Sequence, residues 1–186
     1  MYGPTDLKKN TLITLDGQPY KVVEYSQKVM GRGGSIVNVK VKNLITGALL
    51  PKTFKGQEKI EPAEVTTRKV QYLYRDDEKF YFMDPETYDQ IPLAYDQVEE
   101  AMKYLRDNDE ATIKFYKGSA FLVEAPNFVD LVVTETEPGV KGNTATNVTK
   151  AATVETGAVI QVPIFIEAGE KIQIDTRTGE YLGRAK

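Results

Sequence analysis

Cysteine and histidine are both missing from this 186-residue chain. The first absence excludes disulfides and thiolate zinc sites, and the second removes the commonest general base and the commonest metal ligand. Carboxylate pairs, lysine and tyrosine could still do chemistry, but most familiar catalytic constellations are out of reach. A protein that is not an enzyme, with no cofactor and no metal, is expected. Long apolar runs are also missing: no segment approaches the roughly 18 consecutive apolar residues that cross a bilayer. The opening Met1-Tyr2-Gly3-Pro4-Thr5-Asp6 has no apolar signal stretch. A cytoplasmic protein with no membrane partner is expected.

A strong excess of either charge is lacking too, the net charge being -3 at pH 7, yet the distribution is uneven. Residues 1–63 carry ten Lys/Arg against five Asp/Glu, residues 64–126 eight against fourteen, and residues 127–186 six against eight. A basic first third suits a module that faces phosphates; a merely solvated surface accounts for it as well. The length suits two or three compact units better than one small barrel.

Strand signals dominate. In residues 1–63, Leu12, Ile13 and Leu15 run into Asp16-Gly17, a favoured two-residue turn, and Tyr20, Val22 and Val23 return from it. From Ser35 to Leu44 the alternation sets Val37, Val39 and Val41 on one face and Asn38, Lys40 and Lys42 on the other. Leu49 to Phe54 predicts a short strand interrupted by Pro51, and Lys55 to Pro62 reads as a linker. In residues 64–126, strands flank a turn at Asp76-Asp77-Glu78. A helix is predicted from Asp96, with Glu99 three positions on and Val98, Met102 and Leu105 sharing a face through Arg106. A closing hairpin turns at Lys117-Gly118, and this order of strands, helix and hairpin is that of an OB-fold barrel. Residues 127–186 predict a second OB-like barrel, with a long loop over 142–150 and the last strand ending before Thr176 to Gly179.

The most unusual stretch is Lys28-Val29-Met30-Gly31-Arg32-Gly33-Gly34-Ser35, where three glycines surround one cation between two strands. It reads either as an ordinary hairpin turn with an exposed arginine or as a projecting fork aimed at phosphate, carboxylate or RNA. A nucleotide-cradling loop fits poorly, because no Gly-Lys-Ser/Thr follows and the next segment is a strand. Carboxylates gather at Asp76-Asp77-Glu78, Glu99-Glu100 and Asp107 to Glu110, as solvated charge or as an acid/base or metal site. Eleven tyrosines and seven phenylalanines raise base stacking as a reading, though most fall at strand period and suit a core.

Three stretches resemble the bacterial translation elongation factor P family over essentially the whole chain. They are Lys150-Ala151-Ala152 through Val162-Pro163-Ile164-Phe165-Ile166 to Asp175-Thr176-Arg177-Thr178-Gly179-Glu180-Tyr181; Pro126-Asn127-Phe128-Val129 with Pro138-Gly139-Val140-Lys141-Gly142; and Leu15-Asp16-Gly17-Gln18-Pro19-Tyr20 with Val39-Lys40-Val41-Lys42-Asn43-Leu44. The resemblance implies an all-β fold of three small barrels in series, KOW/SH3-like over 1–63 and OB-fold over 64–126 and 127–186, with an L-shaped, tRNA-like outline. It implies a monomeric factor that binds the 70S ribosome, through rRNA and ribosomal proteins, between the P and E sites and stimulates peptide-bond formation at consecutive prolines.

On that resemblance Arg32 is the tip that reaches toward the CCA end of P-site peptidyl-tRNA, within the loop Met30, Gly31, Gly33, Gly34 and Ser35. Lys40 and Lys42 would meet tRNA or rRNA backbone, and Gly142, Asn143 and Thr144 would face the E-site mRNA codon. Some arginine-bearing members are rhamnosylated at the tip, which would make an Arg-modifying glycosyltransferase a partner of Arg32. The chain departs from the family pattern at Met30, where proline is usual, at Gly34-Ser35, and at Asn143, where aspartate is usual. The rival reading is a generic OB-fold protein that binds single-stranded nucleic acid.

Overall fold

The computed structural model describes residues 1–139 and 148–186, and its fold is all-β apart from one α-helix and two short 3-10 turns among those residues. The strands lie in three five-stranded sheets. The chain divides into two compact units, Met1–Thr67 with Lys114–Leu122, and Arg68–Ile113 with Val123–Lys186. Among the described residues no helix is long and apolar enough to cross a membrane.

The first sheet comprises β1 (Leu12–Leu15), β2 (Gln18–Val29), β3 (Ser35–Asn43), β4 (Leu49–Lys55) and β5 (Glu61–Pro62), in the order β4-β3-β2-β1-β5. Asp16 and Gly17, with φ of 50° and 75°, make the two-residue turn that their identity predicts. β3 alternates as expected: Val37, Val39 and Val41 are buried with Leu7, Ile13, Val22, Phe54 and Ile60 in one core. β2 and β3 pair from Tyr20–Asn43 to Val29–Ser35, with a shift between Val22 and Glu24 that leaves Val23 as an extra residue and bends the strand.

Two expectations need correcting here. Pro51 does not interrupt β4, because β4 is the outer strand of the sheet and a missing N–H costs no ladder bond there. The polar stretch from Lys55 is not a free linker to its end: Ile60 is buried and exchanges two 2.8 Å backbone hydrogen bonds with Tyr2, and Glu61–Pro62 pairs with β1.

The second sheet holds β6 (Val65–Arg75), β7 (Lys79–Met83), β8 (Gln90–Ala94), β9 (Glu110–Tyr116) and β10 (Ser119–Glu124), in the order β10-β9-β6-β7-β8. Tyr116 and Phe121 pack with Ala63, Leu12, Leu44 and Val65, and buried Thr14 meets the Tyr116 hydroxyl at 3.2 Å. The helix α1 runs Tyr95–Met102, starting earlier and ending sooner than predicted. Its N-cap is Ala94, whose N–H donates to Gln97 Oε1 at 2.9 Å, so glutamine makes the reciprocal half of a capping box without a Ser or Thr to announce it. The chain leaves the helical path after Met102, and Asp109 Oδ2 accepts from the Arg106 N–H at 2.8 Å.

The third sheet holds β11 (Phe128–Thr136), β12 (Thr149–Val154), β13 (Val159–Pro163), β14 (Lys171–Asp175) and β15 (Glu180–Arg184), in the order β13-β12-β11-β14-β15. The outermost strands β13 and β15 also approach each other, as in a closing barrel. β15 lies beyond the predicted end of the strands, and Thr176 to Gly179 is its turn. Because β15 alternates only between exposed and half-buried positions, it has no apolar face to signal it.

Within this second unit the segment after α1 docks on the third sheet. Tyr104 is buried in the same core as Leu131, Ile160, Ile172 and Ile174. The Thr156 hydroxyl donates to the Lys103 carbonyl, and Arg106 Nη1 lies 3.3 Å from Glu155 Oε1. Truncation of a buried aromatic costs about 3–5 kcal/mol. Tyr104→Ala is therefore expected to lower the unfolding free energy of the full chain by about 3 kcal/mol in urea titrations followed by circular dichroism, whereas Lys103→Ala, which keeps the backbone carbonyl, should cost less than about 1 kcal/mol.

Candidate functional site

The β2–β3 ladder continues past the last buried side chain of β3, Val37, and carries Lys28, Val29 and Met30 out as exposed residues. The hairpin closes with a 3.1 Å hydrogen bond from the Met30 N–H to the Gly34 carbonyl around a 3-10 turn at Gly31–Gly33. Gly31 and Gly34 have φ of 33° and 85°, a region that residues with a Cβ enter at a cost. Arg32 is exposed at the centre of this turn, and among the described residues nothing hydrogen-bonds to or pairs with its guanidinium. Beside it, Val29 is 77% and Met30 55% exposed. The geometry presents a free planar cation with two apolar side chains at the end of a strand pair.

Lys40 and Lys42 lie on the same hairpin but not at its tip. Lys40 is five residues from Ser35, about 17 Å along an extended strand. Register brings in lysines that residue spacing did not single out. On the outward face Lys42 sits opposite Lys21, Lys40 opposite Glu24, and Ile36 between Lys28 and Lys55. Five lysines and one glutamate therefore share a face that runs from the barrel toward Arg32, with a rung of Ser26, Asn38 and Thr53 between, where the Thr53 hydroxyl donates to Asn38 Oδ1 at 2.7 Å. Among the described residues the one ion pair on this face, Lys40 to Glu24, is long at 3.9 Å and solvent-exposed, so it neutralises little. Like charges directly opposite, as at Lys21 and Lys42, weaken a sheet. Such a face suits phosphate-bearing ligands.

The carboxylate clusters do not converge. Asp76 is occupied in its own turn: Oδ1 accepts from the N–H of Glu78 at 2.9 Å and of Lys79 at 2.7 Å, and Oδ2 from the Tyr81 hydroxyl at 2.7 Å. Asp109 holds Arg106, and Glu100 pairs with Lys103. Among the described residues no three acidic side chains are grouped to hold a metal. Gly142, Asn143 and Thr144 lie outside the described residues. Of the aromatic side chains, Tyr72, Phe80 and Phe82 are buried, as strand period predicts, whereas Phe128 and Phe165 are exposed with Arg177 and Arg184 over their rings at 5.2 and 4.9 Å.

The Tyr81 hydroxyl, then the Lys79 and Glu78 amides, hold the Asp76 carboxyl below its ordinary value of 3.8, and Tyr81 is correspondingly raised. A depressed carboxylate contributes its stabilisation above the unfolded-state value and loses it as pH falls through the lower folded value. An NMR titration of the Asp76 carboxyl is expected to give a midpoint below 3.8, and Tyr81→Phe should move it back up toward 3.8.

Comparison with known proteins covers the chain from end to end. Residues 5–60 match a family described as the elongation factor P KOW-like domain, residues 65–123 the elongation factor P OB domain, and residues 129–184 the elongation factor P C-terminal domain. Proteins named elongation factor P from Clostridioides difficile and from Thermoanaerobacter are 55% and 56% identical over 184 residues, covering 99% of this chain and 100% of theirs. One from Clostridium acetobutylicum is 54% identical over 186 residues, covering 100% of both. Among solved structures, a eukaryotic translation initiation factor 5A from Methanococcus jannaschii aligns with a TM-score of 0.55 at 21% identity, covering 66% of this chain and 92% of that one. That likeness bears on the fold alone.

Proposed function

The chain belongs to the elongation factor P family of translation elongation factors, and from that premise we propose that it binds the ribosome between the P and E sites and speeds peptide-bond formation at consecutive prolines by orienting P-site peptidyl-tRNA. The single observation that carries this reading is the exposed Arg32 at the end of the β2–β3 hairpin, with no partner for its guanidinium among the described residues. Arginine stays protonated at all physiological pH and offers a rigid fork to phosphate or ribose oxygens. Aimed at the CCA end, it acts on orientation while the ribosome carries out the chemistry.

The energies are adequate. An acceleration of about 100-fold needs roughly 2.7 kcal/mol, and one or two charge-assisted hydrogen bonds in a desolvated site supply about 1.5 to 3 kcal/mol each. The outward face of Lys21, Lys28, Lys40, Lys42 and Lys55 would track tRNA or rRNA backbone, a contact that is independent of sequence and sensitive to salt. On the same reading, Gly142, Asn143 and Thr144 would face the E-site codon. Arg32, being accessible, is also open to a glycosyltransferase that adds a rhamnosyl group to its guanidinium; intact mass of protein from the native host reads this directly.

In a reconstituted translation assay on a triple-proline reporter, the protein is expected to stimulate synthesis and Arg32→Ala to lose most of that stimulation at saturating concentration. Lys40→Ala with Lys42→Ala should instead raise the half-saturating concentration several-fold and flatten its dependence on salt. Full stimulation by Arg32→Ala overturns the proposal. Tight binding of free single-stranded oligonucleotides, with no stimulation, would favour the rival single-strand binder.

A further inference from the structure

The hairpin that carries Arg32 outruns its core: β4 supports β3 only as far as Ile36, so the Val29–Ser35 rung before the turn is two-stranded, and a two-stranded ribbon in water is marginal by itself. On the face it shares with Val37 and Val39, three polar side chains form a row. The Tyr25 hydroxyl donates to Gln27 Oε1 at 3.1 Å, and Gln27 Nε2 donates to Ser35 Oγ at 3.1 Å. Tyr25 packs against the first core. Ser35 pairs with Val29 in the last rung before the turn, and its carbonyl accepts from the Gly56 N–H at 3.4 Å at the end of β4. Gln27 stands opposite Val37 and reaches diagonally to Ser35. Among the described residues this is the side-chain hydrogen bond between β2 and β3 nearest the turn.

We infer that Gln27 is a positioning residue, which ties the core-anchored Tyr25 to Ser35 and so fixes the closing rung and the direction in which the turn presents Arg32 to RNA. The inference rests on the role proposed for Arg32 and adds the device that aims it. A carboxamide suits the position because its oxygen accepts from one hydroxyl while its nitrogen donates to the other. Methionine has similar length and can do neither. Glutamate can accept from both hydroxyls and keeps the row intact.

Exposed neutral hydrogen bonds are worth a factor of a few in a local equilibrium. In the full chain, Gln27→Met and Ser35→Ala are expected to speed hydrogen exchange of the Met30 amide about 3- to 5-fold, and to slow triple-proline synthesis at saturating factor by a smaller, measurable factor, because such a shift raises the open population more than it depletes the closed one. The half-saturating concentration and the unfolding midpoint should stay within about twofold and within error of the parent, since neither the lysine face nor the core is touched. Gln27→Glu is expected to restore both rates. Unchanged Met30 exchange in Gln27→Met overturns the inference, whatever the translation assay gives. Faster exchange with an undiminished synthesis rate overturns it as well. If the parent protein itself fails to stimulate while the exchange is faster, the failure lies with the proposed function, and the faster exchange supports the brace.

Discussion

Burial of Val37, Val39 and Val41 on one face of β3 is the constraint from which the rest of the first sheet follows. A strand has a side-chain period of two, so a slip of one residue would send all three valines to solvent and turn Lys40 and Lys42 inward. The core therefore pins the register of β3, and β3 pins β2 and β4 through their ladders. The placement of Lys21, Lys28 and Lys55 beside Lys40 and Lys42 is a consequence of that register. So is the position of the turn: with Val37 held in the core, Ser35 and Val29 must close the hairpin two residues further out, and Arg32 must lie beyond them. A charged face and an exposed cation, neither of which stabilises the fold, are both positioned by three buried valines.

The second unit depends on a different element. Tyr104 follows the short α1 and is buried among side chains of the third sheet, while the flanking Lys103 carbonyl and Arg106 guanidinium are bound by Thr156 and Glu155. Burial of one aromatic ring supplies most of the energy here, because the Arg106–Glu155 pair is only partly buried and partly exposed pairs contribute little. The polar contacts serve to orient the segment. The early end of α1 at Met102 is then intelligible: continuing the helix would compete with the turn that Asp109 caps through the Arg106 N–H, and that turn leads into β9.

Much of this architecture was legible in the sequence where a local rule decides the structure. The Asp16-Gly17 turn, the alternation of β3 and the turn at Asp76 to Glu78 each depend on a few neighbouring residues, and all three form as expected. What escaped depends on partners distant in sequence. Pro51 looked like a break because its tolerance depends on β4 being the outer strand. Ile60 looked like part of a linker because its partner, Tyr2, is at the other end of the domain. The α1 cap at Ala94 and Gln97 was missed because alanine carries no capping signal, and β15 because a half-exposed strand has no apolar period. At the candidate site, the glycines around Arg32 announced the tip, but Lys21, Lys28 and Lys55 come from two strands other than β3, and only register gathers them.

That distinction bears on how charge is read in such a protein. The whole chain is acidic, with a net charge of -3, and by that sum it is a poor candidate for contact with RNA. Division into thirds recovers a basic first domain, though it cannot tell a basic face from a basic average. Pairing does: of the acidic residues in the first domain, only Glu24 lies on a paired rung of the outward face of β2, β3 and β4, while Glu58 Oε1 accepts from the Lys55 N–H at its end and the other three lie elsewhere. Screening limits exposed charges to about 8–10 Å at physiological ionic strength, which is about twice the spacing of adjacent strands. Phosphate approaching this face thus responds to the lysines within that range and not to the charge summed over the chain. A chain of negative sign can in this way carry a positive surface, provided that a sheet holds its lysines in register.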